Sequence, residues 1–280
     1  MRDKRAEHGW AVEKLCGIVG IPRVSFYKWR NRKETEKERR DQELCQIIRE
    51  YFNLSGHTLG YRQMTLHINR LNQTGYNVKR IRRLMRLMGM SSCIRRQRKG
   101  YLKSTPQVTA ENVLNRKFEA EKPNEKWLSD VTEFKVEGTR IFLCGIKDLY
   151  DRSIVSFHHS RINDNRLVFA TFDKAVATNP GAKPLFHSDR GFQYTNKVFK
   201  KKLDGIRATQ SMSRIGRCID NGPMEGFWGI LKTEMKHLFP YHTIDELIRS
   251  IELFIQYYNN DRPQKKLKGL TPMEYRAQAL

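Results

Sequence analysis

The feature that most limits how this 280-residue chain can fold is a change of periodicity near residue 123. Beyond it stand three runs rich in β-branched and aromatic residues, 127–136, 140–149 and 153–158, parted by Glu137-Gly138 and Asp151-Arg152. Runs of this length broken by so few residues predict three adjacent antiparallel strands. A helix is expected over 164–177, then an apolar strand over 184–187 that ends on Ser188-Asp189. A helix over 196–203, a strand near 207–210, a loop to Asn221 and a largely helical segment over 222–280 follow. Three meandering strands followed by alternating helices and strands specify an α/β fold, a mixed sheet flanked by helices.

Before residue 123 the period is helical. Val12, Leu15, Cys16 and Val19 recur at helical spacing, Gly20 breaks the run and Pro22 can open a second short helix, which gives a helix, turn, helix outline. Residues 31–43 are almost purely charged with mixed signs, an exposed helix or a connector, and a domain junction is expected there. Leu44, Ile47, Ile48 and Tyr51 mark the next helix, and 61–71 another. Asn77 is placed to cap a third, whose apolar stripe is Val78, Ile81, Leu84, Met85 and Met88 and which Gly89 can end. Lys79, Arg80, Arg82, Arg83 and Arg86 crowd its other faces, and cations so close repel one another unless an anion relieves them. The reading by segment is an N-terminal helical segment (1–41), a second helical segment (42–93) that carries this basic helix, a basic linker (94–122) with Arg95, Arg96, Arg98 and Lys99, and the α/β segment with its C-terminal helices (123–280).

Charge points to the partner. The chain has 53 Lys and Arg against 30 Asp and Glu, a formal net charge of +23. Residues 1–103 hold 25 basic and 9 acidic side chains, so the front of the chain is expected to carry most phosphate contact; a merely solvated basic surface is the plainer reading. The five cysteines, Cys16, Cys45, Cys93, Cys144 and Cys218, have no ligand-pair spacing and read as reduced, buried thiols. No apolar run approaches the roughly 18 residues of a membrane span, and no signal-peptide stretch is evident, so a cytoplasmic, nucleoid-associated protein with no membrane partner is expected.

Phosphoryl transfer in DNA needs stabilisation of a crowded anionic phosphorus centre and help for the attacking and leaving oxygens, which two hard divalent cations on carboxylates can provide. Three carboxylates stand where such a site could form. Asp130 shares the face of its strand with Leu128, Thr132 and Phe134, a poor place for an unpaired charge. Asp189 ends an apolar strand, where an open sheet forms its ligand crevice. Glu225 lies in the first turn of a helix whose apolar stripe is Met224, Phe227, Trp228, Leu231 and Met235, and it shares another face with Gly229 and Lys232. Each has a plain alternative, respectively an edge-strand residue, a turn residue and a favourable charge at a helix N-terminus.

The segments around these residues, Trp127-Leu128-Ser129-Asp130, His187-Ser188-Asp189-Arg190-Gly191 and Asp220-Asn221-Gly222-Pro223-Met224-Glu225, resemble the three catalytic motifs of retroviral-integrase-like transposases. Thirty-five residues separate Asp189 from Glu225, the spacing associated with that group. The nearest likeness is to the second open-reading-frame product (OrfB) of insertion sequences of the IS-three family. It extends to Ile21–Trp29, to His57–Gly89 with Gly60-Tyr61-Arg62, and to the C-terminal Tyr257-Tyr258-Asn259-Asn260-Asp261-Arg262-Pro263 and Leu270-Thr271-Pro272-Met273-Glu274-Tyr275. The resemblance implies a helix-turn-helix-like DNA-binding domain over 42–93, a ribonuclease-H-like catalytic core with C-terminal helices over 123–280, and an acidic triad of Asp130, Asp189 and Glu225 with Lys232 as the accompanying basic residue. It also implies two magnesium ions, with manganese able to replace them, cleavage and strand transfer at terminal inverted repeats, a homo-oligomer, and an upstream-frame product (OrfA) as partner or fusion. Gly226 stands where the family usually has serine, and Phe192 replaces a small polar residue. The paired His and Cys of a retroviral-type zinc domain are absent, so no zinc is expected, and His158, His159 and His187 read as core or hydrogen-bonding residues. A regulator that only binds DNA and a nuclease that cuts without joining are the competing readings; a joined product separates them.

Overall fold

The computed structural model describes residues 11–94, 111–214 and 218–279; Arg95, Arg96, Arg98 and Lys99 lie outside the described residues. The chain divides into two compact units, Met1–Ile47 and Ile48–Leu280.

In the first unit, α1 (Val12–Val19) ends at Gly20, whose φ of 69° is the left-handed conformation a helix terminus favours. Pro22, in extended backbone, leads into α2 (Arg23–Arg30). Val12, Cys16 and Phe26, with Tyr27 packed against them, make a small core. From Glu36 onward the charged stretch proves to be helix, while residues 31–35 are not. It opens α3 (Glu36–Leu54), which runs through the junction expected near residue 41 and across the boundary between the units. Thr35 and Glu38 exchange side-chain and backbone hydrogen bonds at its start, and Arg39 and Arg40 pair with Glu36 along its exposed face.

In the second unit, α4 (Tyr61–Leu71) buries Met64, Thr65 and Ile68, and α5 (Val78–Leu87) buries Ile81, Leu84 and Met85. The Asn77 side chain caps α5 by accepting the Lys79 N–H at 2.8 Å. Arg70 of α4 is bonded to Glu274, and Gln63 donates to the Pro263 carbonyl at 3.2 Å, so this helical pair is anchored on the C-terminal segment.

Five strands form one sheet in the order β3-β2-β1-β4-β5. These are β1 (Lys126–Val136), β2 (Thr139–Asp148), β3 (Ile154–Ser160), β4 (Leu185–Ser188) and β5 (Thr209–Met212). The first three are antiparallel, as the turn pairs predict, while β4 pairs parallel to β1 and β5 parallel to β4. Val136 faces Thr139 across the two-residue turn Glu137-Gly138, whose φ values of 50° and 74° are those of the hairpin turn that matches strand twist. The strand expected near 207–210 starts two residues later, because Arg207 takes φ 58° in the turn that leaves the preceding helix.

Side-chain alternation gives the sheet two apolar faces. Trp127, Cys144, Ile146 and Phe186 join Phe172 of α6 (Asn165–Thr178) and Phe199 of α7 (Lys197–Gly205). On the other face Phe134, Val136, Ile141 and Leu143 meet α8 (Gly222–Leu238) and α9 (Ile244–Asn260) through Met224, Phe227, Trp228, Phe254 and Tyr258. The C-terminal signature holds this face together. Tyr258 accepts from the buried Lys147 at 2.9 Å, Asn259 pairs with both backbone groups of Ile154, and Arg262 makes two bonds to Glu234. Arg276 of α10 (Pro272–Ala277) reaches the fully buried Asp151 at 2.7 Å and Asp148 at 3.3 Å. Two cysteines depart from expectation: Cys45 is half-buried, and Cys93 is exposed, because it follows the end of α5 and hydrogen-bonds His57 through its backbone instead of entering a core, whereas Cys16 and Cys144 are buried.

Candidate active site

The first carboxylate is set by register. Asp130 lies opposite Gly145 of β2, on the face covered by α8. A Cβ at Gly145 would stand 2.9 Å from Trp228 Cη2 and 3.0 Å from Met224 Cε, closer than side-chain carbons approach, so glycine there lets α8 lie against the sheet. That approach brings Trp228 Nε1 to Asp130 Oδ2 at 3.0 Å. Behind Asp130, on the opposite face, Ser129 is fully buried; its hydroxyl meets Tyr194 Oη at 2.8 Å and its carbonyl accepts from Asn221 Nδ2 at 3.2 Å.

The second carboxylate follows β4 directly. Asp189 Oδ1 accepts the Gly191 N–H at 2.9 Å, a turn that stops the strand and turns the chain at the mouth of a cavity of about 350 Å³. Asp130, Asp189, Thr132, Asn163, Gln193 and the exposed Phe192 are among its lining residues. His187 is not a ligand candidate: it is buried, its two ring nitrogens lie 2.9 and 3.2 Å from the Ser211 and Ser213 hydroxyls, and burial lowers its pKa to about 4.

The third carboxylate depends on how α8 begins. Asp220 is fully buried and bonded by Arg116 at 2.7 Å, by Arg214 at 2.9 Å and by Asn112 at 2.9 Å, which holds its carboxyl well below the usual range despite the opposing cost of burial. With Asn221 tied to Ser129 of β1, this anchor fixes the point where Gly222 and Pro223 start the helix. Glu225 stands exposed in the first turn, on the face that Gly229 leaves open.

Electrostatics connects the three. Burial foremost, then the charge of Asp189, push the Asp130 carboxyl up to about 7; Glu225 adds to this, while the Val131 N–H and the Trp228 indole oppose it. Desolvation also raises Asp189 and Glu225. Among the described residues no three His, Cys, Asp or Glu side chains form a ready metal cluster. Lys232 has its Nζ 5.4 Å from the centre of the Phe134 ring; desolvation lowers its pKa against the opposing charges of Glu133 and Asp130, and it lines a second cavity with Lys135, Lys236 and Tyr241. Glu133 lines both cavities.

The other basic residues singled out from sequence lie on the helical pair. Arg62, Lys79, Arg82, Arg83 and Arg86 are exposed and Arg80 half-buried, with Arg62 and Arg82 each over the Tyr61 ring at 5.4 Å and Arg80 over Tyr76 at 5.3 Å. Sequence reasoning missed Gly145, Trp228 and Asp220 as site-building residues. Asp220 was legible only as part of a motif, and Gly145 carried no signal in a run of apolar residues.

The Integrase core domain family matches residues 120–218 and, through a second part, residues 225–280; an HTH-like domain matches residues 38–99. The transposase of insertion sequence element IS904 from Lactococcus lactis is 31% identical over 73% of this chain and 83% of its own length. InsK of insertion sequence element IS150 from Escherichia coli is 36% identical over 96% of this chain and 94% of its own. The transposase InsF of insertion sequence IS3A from the same species is 24% identical over 95% and 94%. The chain belongs to the integrase-core transposases of the IS3 family. A chain of the simian T-cell lymphotropic virus intasome, solved by electron cryo-microscopy in complex with PP2A regulatory subunit B56 gamma, matches with a TM-score of 0.50 at 18% identity, over 78% of this chain and 70% of that one. At that identity the likeness concerns fold alone, and it agrees with a ribonuclease-H-like sheet. The protein is thus a transposase of the polynucleotidyl-transferase type, acting in DNA transposition. Among the described residues no helix of this transposase is long and apolar enough to cross a membrane.

Proposed function

We propose that this transposase cuts and joins DNA at the terminal inverted repeats of its insertion sequence with Asp130, Asp189 and Glu225 as ligands of two magnesium ions, manganese being able to replace them and zinc taking no part. The observation that carries this is that Asp130 and Asp189 line one cavity, where burial and the second carboxylate push the Asp130 carboxyl up to about 7. Such a group is costly as an isolated anion and becomes favourable once a cation is shared with Asp189. The donor set is all oxygen, which suits hard divalent ions. Since no ready cluster exists among the described residues, the proposal includes movement of the exposed Glu225 side chain towards the two aspartates.

Bound cations would supply charge neutralisation at phosphorus and a lowered pKa for the attacking water or DNA 3′-hydroxyl. The chain supplies the rest. Trp228 fixes the orientation of the Asp130 carboxylate, the Gly191 N–H does so for Asp189, and the Asp220 anchor sets the start of the helix that carries Glu225. Lys232, on the same helix two turns after Glu225, reaches a phosphate held at the metal ions. Arg62, Lys79, Arg80, Arg82, Arg83 and Arg86 hold the duplex backbone, joined by the linker cations Arg95, Arg96, Arg98 and Lys99. Two ends must be brought together, so the working form is a homo-oligomer, assisted by or fused to the upstream-frame product.

The test is magnesium-dependent joining of labelled terminal-repeat DNA by the wild-type chain and by Asp189→Ala, with and without the upstream-frame product. Joining by the wild type that is lost in the variant is expected. Cleavage without joined product would make the protein a nuclease, and binding without either reaction would make it a regulator.

A further inference from the structure

We propose that α1 and α2 form a second DNA-reading module, with α2 as the helix that meets base edges in the major groove. The HTH-like match begins at residue 38 and leaves both helices outside it. They are eight residues each and joined only by Gly20, Ile21 and Pro22. Two helices linked by a turn of three residues that contains glycine have the connection used to present a second, recognition helix.

The distribution of burial on α2 favours this role. Phe26, at 5% exposure, is the one buried side chain of the helix. It packs with Val12 and Cys16 of α1 and edge-on against Tyr27, ring centres 5.6 Å apart. Arg23, Val24, Tyr27, Lys28 and Asn31 recur at i, i+1, i+4, i+5 and i+8, which is a single stripe, and with Arg32 they line a shallow cavity of about 710 Å³.

That stripe has the inventory of base readout, which a purely phosphate-binding surface does not need. A guanidinium can fork onto guanine O6 and N7, an asparagine amide onto adenine N6 and N7, and an apolar side chain such as Val24, 64% exposed, suits a thymine methyl. Lys28 is placed for a phosphate, and Arg32, paired with the exposed Glu38, can exchange that partner for one. Arg23 is held only loosely by its 3.5 Å pair with Glu13, since both side chains are more than half exposed and such a pair contributes little. No acidic residue occurs between Arg23 and Asn31, so nothing on the helix itself repels DNA.

Selection of bound duplexes from a random library tests the proposal with the full chain and independently of whether the protein joins DNA ends. Arg23→Ala, Lys28→Ala and Asn31→Ala are compared with Arg82→Ala on α5, all surface changes checked by circular dichroism and melting temperature. The wild type is expected to select a motif in two parts. The α2 variants should lose one part, with affinity for the selected site reduced roughly 10- to 100-fold, and keep the other, while Arg82→Ala leaves the α2 part in place. The proposal is overturned if the wild type selects no motif, if α2 variants select the unchanged motif within about twofold in affinity, or if they weaken all duplexes equally, which would make α2 a phosphate surface. Intact selection with an altered oligomeric mass would also overturn it, assigning the stripe to contact with a second copy.

Discussion

The indole of Trp228 donates a 3.0 Å hydrogen bond to Asp130, so the packing of α8 on the sheet and the charge state of a carboxylate on β1 are coupled through one side chain. The same indole opposes the rise in the Asp130 pKa that burial and Asp189 produce.

Trp228→Phe keeps an aromatic ring in the core and removes the donor. The Asp130 pKa should rise further, so the acidic limb of the pH dependence of magnesium-supported joining moves to higher pH, and stability falls by about 1 to 3 kcal/mol. Rates between pH 6 and 9, with urea melts, check both. An unmoved limb would separate Asp130 from the titration that controls the reaction.

Gly145→Ala places a methyl group 2.9 Å from Trp228 Cη2. The helix must retreat or rotamers must shift, at a cost of about 1 to 3 kcal/mol. Because α8 also carries Glu225, joining should drop more than the lost stability explains. The discriminating comparison is activity measured well below the melting temperature of the variant; wild-type rates there would show that close seating of α8 is not required.

The raised Asp130 pKa fixes the sign of a stability effect. A carboxyl more basic in the folded state than its ordinary value of 3.8 contributes stability that is fully present below 3.8 and is lost as pH rises through about 7. Magnesium at the triad offsets that loss, so it should raise the melting temperature more at pH 8 than at pH 5. Equal shifts at both pH values would place the ion elsewhere.

Arg276→Ala leaves Asp148 and Asp151 buried without their common cation. Removal of one partner of a buried ion pair costs about 3 to 5 kcal/mol. Guanidinium chloride melts should show this loss, and a change under about 1 kcal/mol would mean that the two aspartates find protons or water instead.

The antiparallel pairing of β1 with β2, the helix carrying Glu225 and the start of α5 were legible because local signals agreed with the tertiary result: the Glu137-Gly138 turn, the apolar stripe from Met224 to Met235, the Asn77 cap. The charged stretch over 31–43 was ambiguous because exposed helix and connector share a composition; the reciprocal bonds of Thr35 and Glu38 and the Glu36 pairs decide it. What holds the site was harder to read. Gly145 matters only because α8 crosses it, and Asp220, legible only as part of a motif, has its carboxylate occupied by Arg214 nearby and by Asn112 and Arg116 from a distant segment. Lys232, expected near the reacting phosphate, rests on Phe134 beside a neighbouring cavity, a position set by packing between helix and strand.

The most direct test of the metal claim is a change of ligand softness at one aspartate. Joining of terminal-repeat DNA by Asp189→Cys, confirmed as folded by its melting temperature, is measured with magnesium and then with manganese, which accepts a thiolate more readily. Activity lost in magnesium and regained in manganese is the predicted result. Wild-type joining by the variant in magnesium, or a folded variant equally inactive with both ions, would contradict Asp189 as a metal ligand.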